Sequence, residues 1–124
     1  MEKLIIKETF DTPAVNFDAN KGVLEIEGRS ILADPEVFYK PILKWLDEYR
    51  PGKGTKTVVR LQFYYYNTKS TEYILYLLKK IDELHKKGFD VKIKWEYEEG
   101  DEDAVSDGEK FGSMLSVPFE VEKV

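Results

Sequence analysis

The sequence predicts an α/β domain in which a mixed β-sheet packs against helices. Near the N-terminus, apolar and polar residues alternate on both sides of a turn at residues 20–22, which is typical of a β-hairpin. From residue 57 onward, apolar strands alternate with helical patterns, which indicates parallel strands joined by right-handed crossovers. A chain of 124 residues is long enough for one core, so we expect residues 1–124 to form a single domain.

The N-terminal part contains three predicted strands. Leu4–Lys7 is a short first strand, and Val15–Asp18 alternates as a half-buried strand does. Val23–Glu27 returns after the hairpin turn, and Gly28–Ser30 closes this strand.

The first helix is predicted between Asp34 and Tyr49. Asp34 supplies a capping carboxylate, and proline follows at the first helical position. One apolar face then recurs at helical spacing, formed by Phe38, Ile42, Trp45, Leu46 and Tyr49. Pro41 lies inside this pattern, so we expect it to kink or split the helix.

A strand–helix–strand unit follows. The strand Thr57–Tyr66 lacks clean alternation, which predicts a central strand with both faces covered. The next helix is expected over Ser70–Lys87 and ends at Gly88. Its core stripe consists of Ile74, Leu77, Leu78, Ile81 and Leu84. The strand Phe89–Tyr97 should then lie parallel to Thr57–Tyr66 as its neighbour.

The C-terminal part is predicted to be one helix and one extended segment. The acidic run Glu98–Asp103 suits a helix N-terminus, and the helix carries Val105, Phe111 and Leu115. Val117–Val121 is expected to be a terminal strand or an extended edge.

Composition excludes several classes of function. The net charge of −5 argues against a nucleic-acid binder, which needs a basic face. The absence of cysteine excludes disulfides, zinc–thiolate sites and thiol catalysis. No apolar run is long enough for a signal peptide or a membrane span, so we expect a cytoplasmic protein without membrane insertion.

Three motifs that suggest an enzyme or a cofactor site fail on spacing. The loop Gly52–Thr57 has the wrong spacing for a phosphate-binding loop and precedes a strand instead of following one. The acidic run at 101–107 has Val105 where a calcium loop needs its third acidic ligand. His85 has no nucleophile at a recognised spacing. We therefore expect no enzymatic activity, no metal and no cofactor.

The junction between the Thr57–Tyr66 strand and the next helix is the candidate functional site. Asn67-Thr68-Lys69-Ser70 delivers a hydroxyl to a helix start, beside free backbone N–H groups and the positive end of the helix dipole. That position suits an anion, including a phosphate made on Thr68 itself. Simple helix capping by Asn67, Thr68 or Ser70 is an equally physical interpretation.

Tyr76 is a candidate contact with a partner. It points away from the core stripe of its helix, where an aromatic side chain has no core to enter. Tyrosine is enriched in protein interfaces, and Tyr76 lies on the same helix as the Thr68 junction.

Several segments together resemble one family, the SiaC-type regulatory phosphoproteins, formerly a domain of unknown function. These segments are residues 11–17 (DTPAVNF), 22–30 (GVLEIEGRS), 38–46 (FYKPILKWL), 65–70 (YYNTKS), 95–98 (WEYE) and 117–119 (VPF). They span almost the whole chain in the right order. The resemblance implies a fold like that of the anti-anti-sigma factors of the SpoIIAA (STAS) type.

The resemblance also implies a function for the junction. In the best-known members, a dedicated Ser/Thr protein kinase phosphorylates the threonine of an Asn-Thr-Ser-Ser motif, and a PP2C-like phosphatase removes the phosphate. The unphosphorylated protein binds and activates a diguanylate cyclase. Asn67, Thr68 and Ser70 match that motif, so Thr68 inherits the phosphoacceptor role, whereas Lys69 replaces the first serine.

Two functions from different classes therefore remain. One is a bacterial phosphorylation switch at Thr68 that controls cyclic-di-GMP regulation through partner switching. The other is a constitutive protein-binding module in which Asn67–Ser70 is an ordinary helix cap.

Overall fold

The computed structural model describes all 124 residues. Six strands and three helices follow one another along the chain: β1 (Leu4–Ile6), β2 (Ala14–Asp18), β3 (Val23–Ser30), α1 (Pro35–Glu48), β4 (Lys56–Tyr66), α2 (Thr68–Lys86), β5 (Asp90–Tyr97), α3 (Glu102–Ser113) and β6 (Phe119–Lys123). None of these helices has the length and apolar character that crossing a membrane requires.

All six strands form one mixed sheet in the order β1-β2-β3-β4-β5-β6. The pairs β1–β2 and β2–β3 are antiparallel, while β3–β4, β4–β5 and β5–β6 are parallel. The parallel pairing of the β4 and β5 strands confirms the central topological prediction. The predicted fold class, a mixed sheet with packed helices, is therefore confirmed.

Only one face of the sheet is covered, which contradicts the prediction that β4 is buried on both faces. Leu24, Val59 and Ile93 occupy one register across β3, β4 and β5, and all three are fully buried. The next register carries Glu25, Arg60 and Lys94, of which Arg60 is exposed and the other two are half-buried. Successive crossovers of one hand move across the sheet in one direction, so the helices lie together on the apolar face.

The open face carries ion pairs between neighbouring strands. Arg60 contacts Glu25 at 2.6 Å and Glu96 at 3.1 Å. The sequence of β4 shows no clean alternation because Val58, Gln62 and Tyr64, rather than charged residues, occupy most of its outer positions.

Helix α1 confirms most of its predicted core face, although Phe38 is only half-buried and Tyr39, which was not predicted, is fully buried. Two further details are corrected. The Asp34 side chain makes no capping hydrogen bond, so the prediction that its carboxylate caps the helix is wrong. Pro41 lies within a continuous helix and does not split it. Pro41 and Val37, whose carbonyl loses its helical donor to this proline, are both exposed, so water can satisfy that carbonyl.

The remaining boundaries shift by a few residues. β3 continues through Ser30 instead of ending at Glu27, with a register shift between Gly28 and Arg29. Helix α2 begins at Thr68 rather than Ser70. Helix α3 ends at Ser113, so Leu115 lies beyond it, and Asp101 caps its start by accepting a hydrogen bond from the Ala104 N–H at 3.1 Å.

The core lies between the helices and the apolar face of the sheet. Trp45 of α1 packs edge-on against Phe17 of β2, with 5.1 Å between ring centroids. At the other side of the sheet, Trp95 of β5 packs against Phe111 of α3 and donates its indole N–H to the Ala104 carbonyl at 2.9 Å. These contacts anchor α1 to β2 and α3 to β5.

Candidate functional site

Asn67 is the residue that fixes the start of α2. Its side-chain Oδ1 accepts a hydrogen bond from the Ser70 N–H at 3.1 Å, which makes Asn67 the N-cap. Its Nδ2 donates to the Leu32 carbonyl at 2.8 Å, and its backbone N–H donates to the Ser30 carbonyl at 3.0 Å. Asn67 therefore joins the first turn of α2 to the end of β3 and the loop that follows.

Thr68 is exposed, and its hydroxyl makes no hydrogen bond within the protein. It is the first residue of α2, where backbone N–H groups have no intrahelical acceptor. The N–H groups of Thr68 and Lys69 have no other backbone partner either. Thr68 thus presents a free hydroxyl beside two free donors at the positive end of the helix dipole.

The neighbouring hydroxyl groups are engaged in the fold. Ser70 is fully buried, and its Oγ accepts a hydrogen bond from the Ser30 hydroxyl at 2.9 Å. Thr71 is half-buried and donates its hydroxyl to the Asn67 carbonyl at 3.2 Å. Of the hydroxyl groups in this turn, only that of Thr68 is both accessible and unbonded.

Near Thr68, the structure confirms that Ile74 of the predicted core stripe is buried, but Tyr66, the last residue of the strand predicted to be covered on both faces, is buried only in part. Ile74 is fully buried, whereas Tyr66 is half-buried and donates its hydroxyl to the Asp107 carboxylate. Tyr66 stays partly accessible because it lines a cleft of about 250 Å³ between the end of β4 and the start of α3. Burial first, and then the Asp107 hydrogen bond, raise the pKa of Tyr66 far above its ordinary value.

The charges around the site are mixed. The Lys69 ammonium donates to the Ala33 carbonyl at 3.3 Å and forms no ion pair. Acidic residues act on Tyr73: partial burial and then the carboxylates of Glu36, Glu72 and Asp34 raise its pKa. Lys69 is the cation nearest in sequence to Thr68, and Glu72 carries the nearest carboxylate in sequence.

Tyr76 lies two helical turns beyond Thr68, about 12 Å along the axis of α2. The residue is 41% exposed, and its hydroxyl donates to the Glu72 carboxylate at 2.5 Å. That hydrogen bond raises the pKa of Tyr76. Tyr76 also packs edge-on against Tyr73, which stacks in turn on the buried Tyr39. Thr68, Glu72 and Tyr76 follow one another at four-residue spacing on the outer face of the helix.

The motifs that sequence spacing rejected have structural roles here. The Gly52–Thr55 segment precedes β4, and the Asp101 carboxylate caps α3. His85 is half-buried in the last turns of α2. No group of three or more histidine or acidic side chains is arranged to hold a metal ion.

Two side-chain pairs at the site were missed by sequence reasoning. Tyr66 reaches Asp107 across 41 residues, and Ser30 reaches Ser70 across 40 residues. Neither pair has a local sequence signal, since the first depends on how β4 and α3 are placed in the fold and the second on how β3 and α2 are placed.

Comparison with known proteins identifies the family. The sequence model described as "SiaC family regulatory phosphoprotein" matches residues 6–124. A protein of Pseudomonas aeruginosa strain UCBPP-PA14, described as uncharacterized, is 25% identical over 122 residues, which cover 98% of this chain and 97% of that protein.

Solved structures agree with this match. SiaC of Pseudomonas aeruginosa superposes with a TM-score of 0.89 at 24% identity, covering 100% of both chains. A chain in the crystal structure of the diguanylate cyclase SiaD in complex with its activator SiaC, from the same organism, gives 0.89 at 25% identity, covering 98% of this chain and 99% of that one. This chain belongs to the SiaC family of regulatory phosphoproteins.

Proposed function

We propose that this chain is a non-enzymatic switch, one domain of residues 1–124, in which phosphorylation of Thr68 controls binding to a signalling partner. The observation that carries this proposal is the isolation of the Thr68 hydroxyl. It is exposed and unbonded at the first position of α2, while Ser70 is buried and Thr71 is hydrogen-bonded. A kinase that approaches this turn meets one available acceptor.

The site can hold a phosphate without a change of fold. Phosphorylation adds a charge of about −1.5 to −2. The free N–H groups of Thr68 and Lys69 and the dipole of α2 favour that charge, and the Lys69 ammonium is the adjacent cation.

The same charge opposes a partner that covers this end of the sheet. Burying an unpaired dianion in an interface costs several kcal/mol. A micromolar complex has about 8 kcal/mol of binding free energy in total, so such a cost releases the partner. We assign Tyr76 as a further contact with that partner, because its exposed ring lies on the Thr68 side of α2.

The proposed partners are a Ser/Thr protein kinase, a PP2C-like phosphatase and a diguanylate cyclase. Membership of the SiaC family supports a regulatory role, and the structure of SiaC with SiaD supports a cyclase as the regulated protein. We place the switch in the cytoplasm, where ATP supplies the phosphate. Lys69 stands where the family motif has serine, so Lys69→Ser tests whether this residue alters kinase recognition.

The test combines phosphosite mapping with binding measurements. The purified chain is incubated with the Ser/Thr kinase of its own host and ATP, and the phosphorylated residue is identified by mass spectrometry. Binding of the host diguanylate cyclase is then measured for Thr68→Ala and Thr68→Asp. Ser106→Asp, which adds the same charge at an exposed position of α3, is the control.

We expect phosphate on Thr68, wild-type binding by Thr68→Ala, and weaker binding by Thr68→Asp alone. The aspartate effect should be incomplete because a carboxylate carries less charge than a phosphate. Phosphate found only on Ser70 or Thr71, or equal binding by both Thr68 variants, would refute the switch. That result would favour the constitutive module, in which Asn67 is simply a helix cap.

A further inference from the structure

Three buried hydroxyl groups form a chain beneath the phosphoacceptor turn. The Tyr39 hydroxyl lies 2.7 Å from Ser30 Oγ, and Ser30 Oγ lies 2.9 Å from Ser70 Oγ. Tyr39, Ser30 and Ser70 are each fully buried. We call this set the hydroxyl chain.

The hydroxyl chain has a defined direction. Ser30 has one hydroxyl proton, which it donates to Ser70, so Tyr39 must donate to Ser30. Burial raises the pKa of Tyr39 to about 12, which keeps its phenol protonated and able to donate at neutral pH. The chain therefore runs from α1 through β3 to α2.

Ser30 holds the first turn of α2 on both sides of Thr68. Its backbone carbonyl accepts the N–H of Asn67, the residue before Thr68, at 3.0 Å. Its hydroxyl reaches Ser70, two residues after Thr68. The Thr68 side chain makes no hydrogen bond of its own, so these flanking bonds determine where its hydroxyl lies.

That position matters for phosphoryl transfer. Thr68 Oγ1 forms a bond to the γ-phosphorus of a nucleoside triphosphate, and the bond from that phosphorus to the β-bridging oxygen breaks. The nucleoside diphosphate leaves with the electron pair, and the threonine proton passes to a base of the kinase. The attacking and leaving oxygens must be in line, and a displacement of about 1 Å can reduce the rate on the order of 100-fold.

We infer that Ser30 and Tyr39, acting through Ser70, are positioning residues for phosphorylation of Thr68. The kinase then recognises the folded start of α2 and not an unfolded segment. This inference rests on the proposed function, because it presupposes that Thr68 is the acceptor.

The chain offers a matched control for a purely structural role. The Tyr49 hydroxyl lies 2.7 Å from Thr57 Oγ1, and both residues are buried. This second pair of hydroxyl groups ties α1 to the start of β4, the end of that strand opposite to Thr68. Tyr49→Phe therefore removes an equivalent buried bond without reaching the phosphoacceptor turn.

The test measures phosphorylation kinetics with the host kinase and hydrogen exchange on the same folded proteins. For Ser30→Ala we expect kcat for Thr68 to fall at least about tenfold with KM unchanged, because the docking surface is intact. The amide protons of Ser70 and Thr71 should exchange faster in that variant. Tyr39→Phe should show a smaller fall in kcat, and Tyr49→Phe should show neither effect.

If Ser30→Ala does not fold, Tyr39→Phe carries the test, since it deletes a single oxygen atom. An unchanged kcat in Tyr39→Phe and in folded Ser30→Ala, or an equal fall in Tyr49→Phe, would overturn the positioning role and leave the switch intact. A faster rate in Ser30→Ala would show that the kinase needs an unfolded turn, which also overturns it. Wild-type protein that acquires no phosphate on Thr68 would refute the proposed function and this inference together.

Discussion

Replacing Asn67 with alanine should destabilise the protein by about 2 kcal/mol, although the residue lies outside the apolar core. Loss of the cap to the Ser70 N–H accounts for about 1 kcal/mol. Loss of the 2.8 Å bond from Nδ2 to the Leu32 carbonyl accounts for about 1 kcal/mol more. Thr68→Ala should change the free energy of unfolding by less than about 0.5 kcal/mol, because its side chain is exposed and unbonded.

Urea unfolding followed by tryptophan fluorescence measures this difference, since Trp45 and Trp95 are both buried. The midpoint should fall for Asn67→Ala at an unchanged slope, as expected for a loss of stability without a change in exposed surface. For a chain of this length, the melting temperature should fall by about 8 °C for Asn67→Ala and by less than about 2 °C for Thr68→Ala.

Asn67→Ser separates the two contributions. Serine is as good a cap as asparagine but has no amide to donate to Leu32, so this variant should lose about 1 kcal/mol. If Thr68→Ala proved as destabilising as Asn67→Ala, then Thr68 would be the cap, and the argument that its hydroxyl is free for modification would collapse.

Three further predictions concern stability elsewhere. Asp82→Asn should cost about 2 kcal/mol at pH 7, because the amide oxygen can still accept the N–H groups of Ser116 and Val117, at 2.8 and 2.7 Å, but without the negative charge that strengthens both bonds. Burial acts to raise the pKa of Asp82, but those N–H groups and the Lys86 ammonium outweigh it and lower the pKa. The difference from wild type in urea unfolding should therefore be full at a pH well above about 4, the ordinary range of an aspartate pKa, and should vanish only as the pH falls through the lowered pKa of folded Asp82; a difference that persists at still lower pH would contradict this cause. Gly108→Ala should destabilise the protein by about 2 kcal/mol even though alanine has the better helix propensity, because a Cβ at this position would lie 2.5 Å from Trp95 Cδ1. The control is Ser106→Ala, at an exposed position of the same helix, which should leave the melting temperature unchanged. Calcium, magnesium or ATP should shift the melting temperature by less than about 1 °C, and a rise of many degrees would reveal a ligand specific to the native state.

The sequence predicts the connectivity well because that information is local. A core stripe at helical spacing marks α2, and the apolar segments on either side mark parallel strands β4 and β5. Whether one or both faces of the sheet are covered depends on tertiary packing and is not visible in a short stretch of sequence. Val58 and Tyr64 look like core residues in the sequence, yet they point to the open face, where Tyr64 donates to Glu27 at 2.5 Å.

Helix-capping propensity also fails to identify the N-cap where several neighbouring residues are suited to that position. Asn67, Thr68 and Ser70 are all good N-caps, and the sequence alone leaves the choice between them open. The choice is made by the loop after β3, because the Leu32 carbonyl accepts the amide donor that only Asn67 has. Similarly, Pro41 is tolerated because its side of α1 faces solvent, which depends on the tertiary packing of that helix.

The four residues Asn67–Ser70 perform two separate tasks: some of them hold the start of α2 in place, and Thr68 presents a free hydroxyl. Asn67 and Ser70 use their polar groups to hold α2 against β3, and Lys69 reaches the Ala33 carbonyl with its flexible side chain. Since the fold needs nothing from the Thr68 hydroxyl and the helix start tolerates a negative charge, a charge there opposes whatever approaches the surface without disrupting the helix start. Thr68→Ala and Thr68→Asp can therefore differ in partner binding while both remain folded, which is the separation of effects that a switch requires and that a capping threonine could not provide.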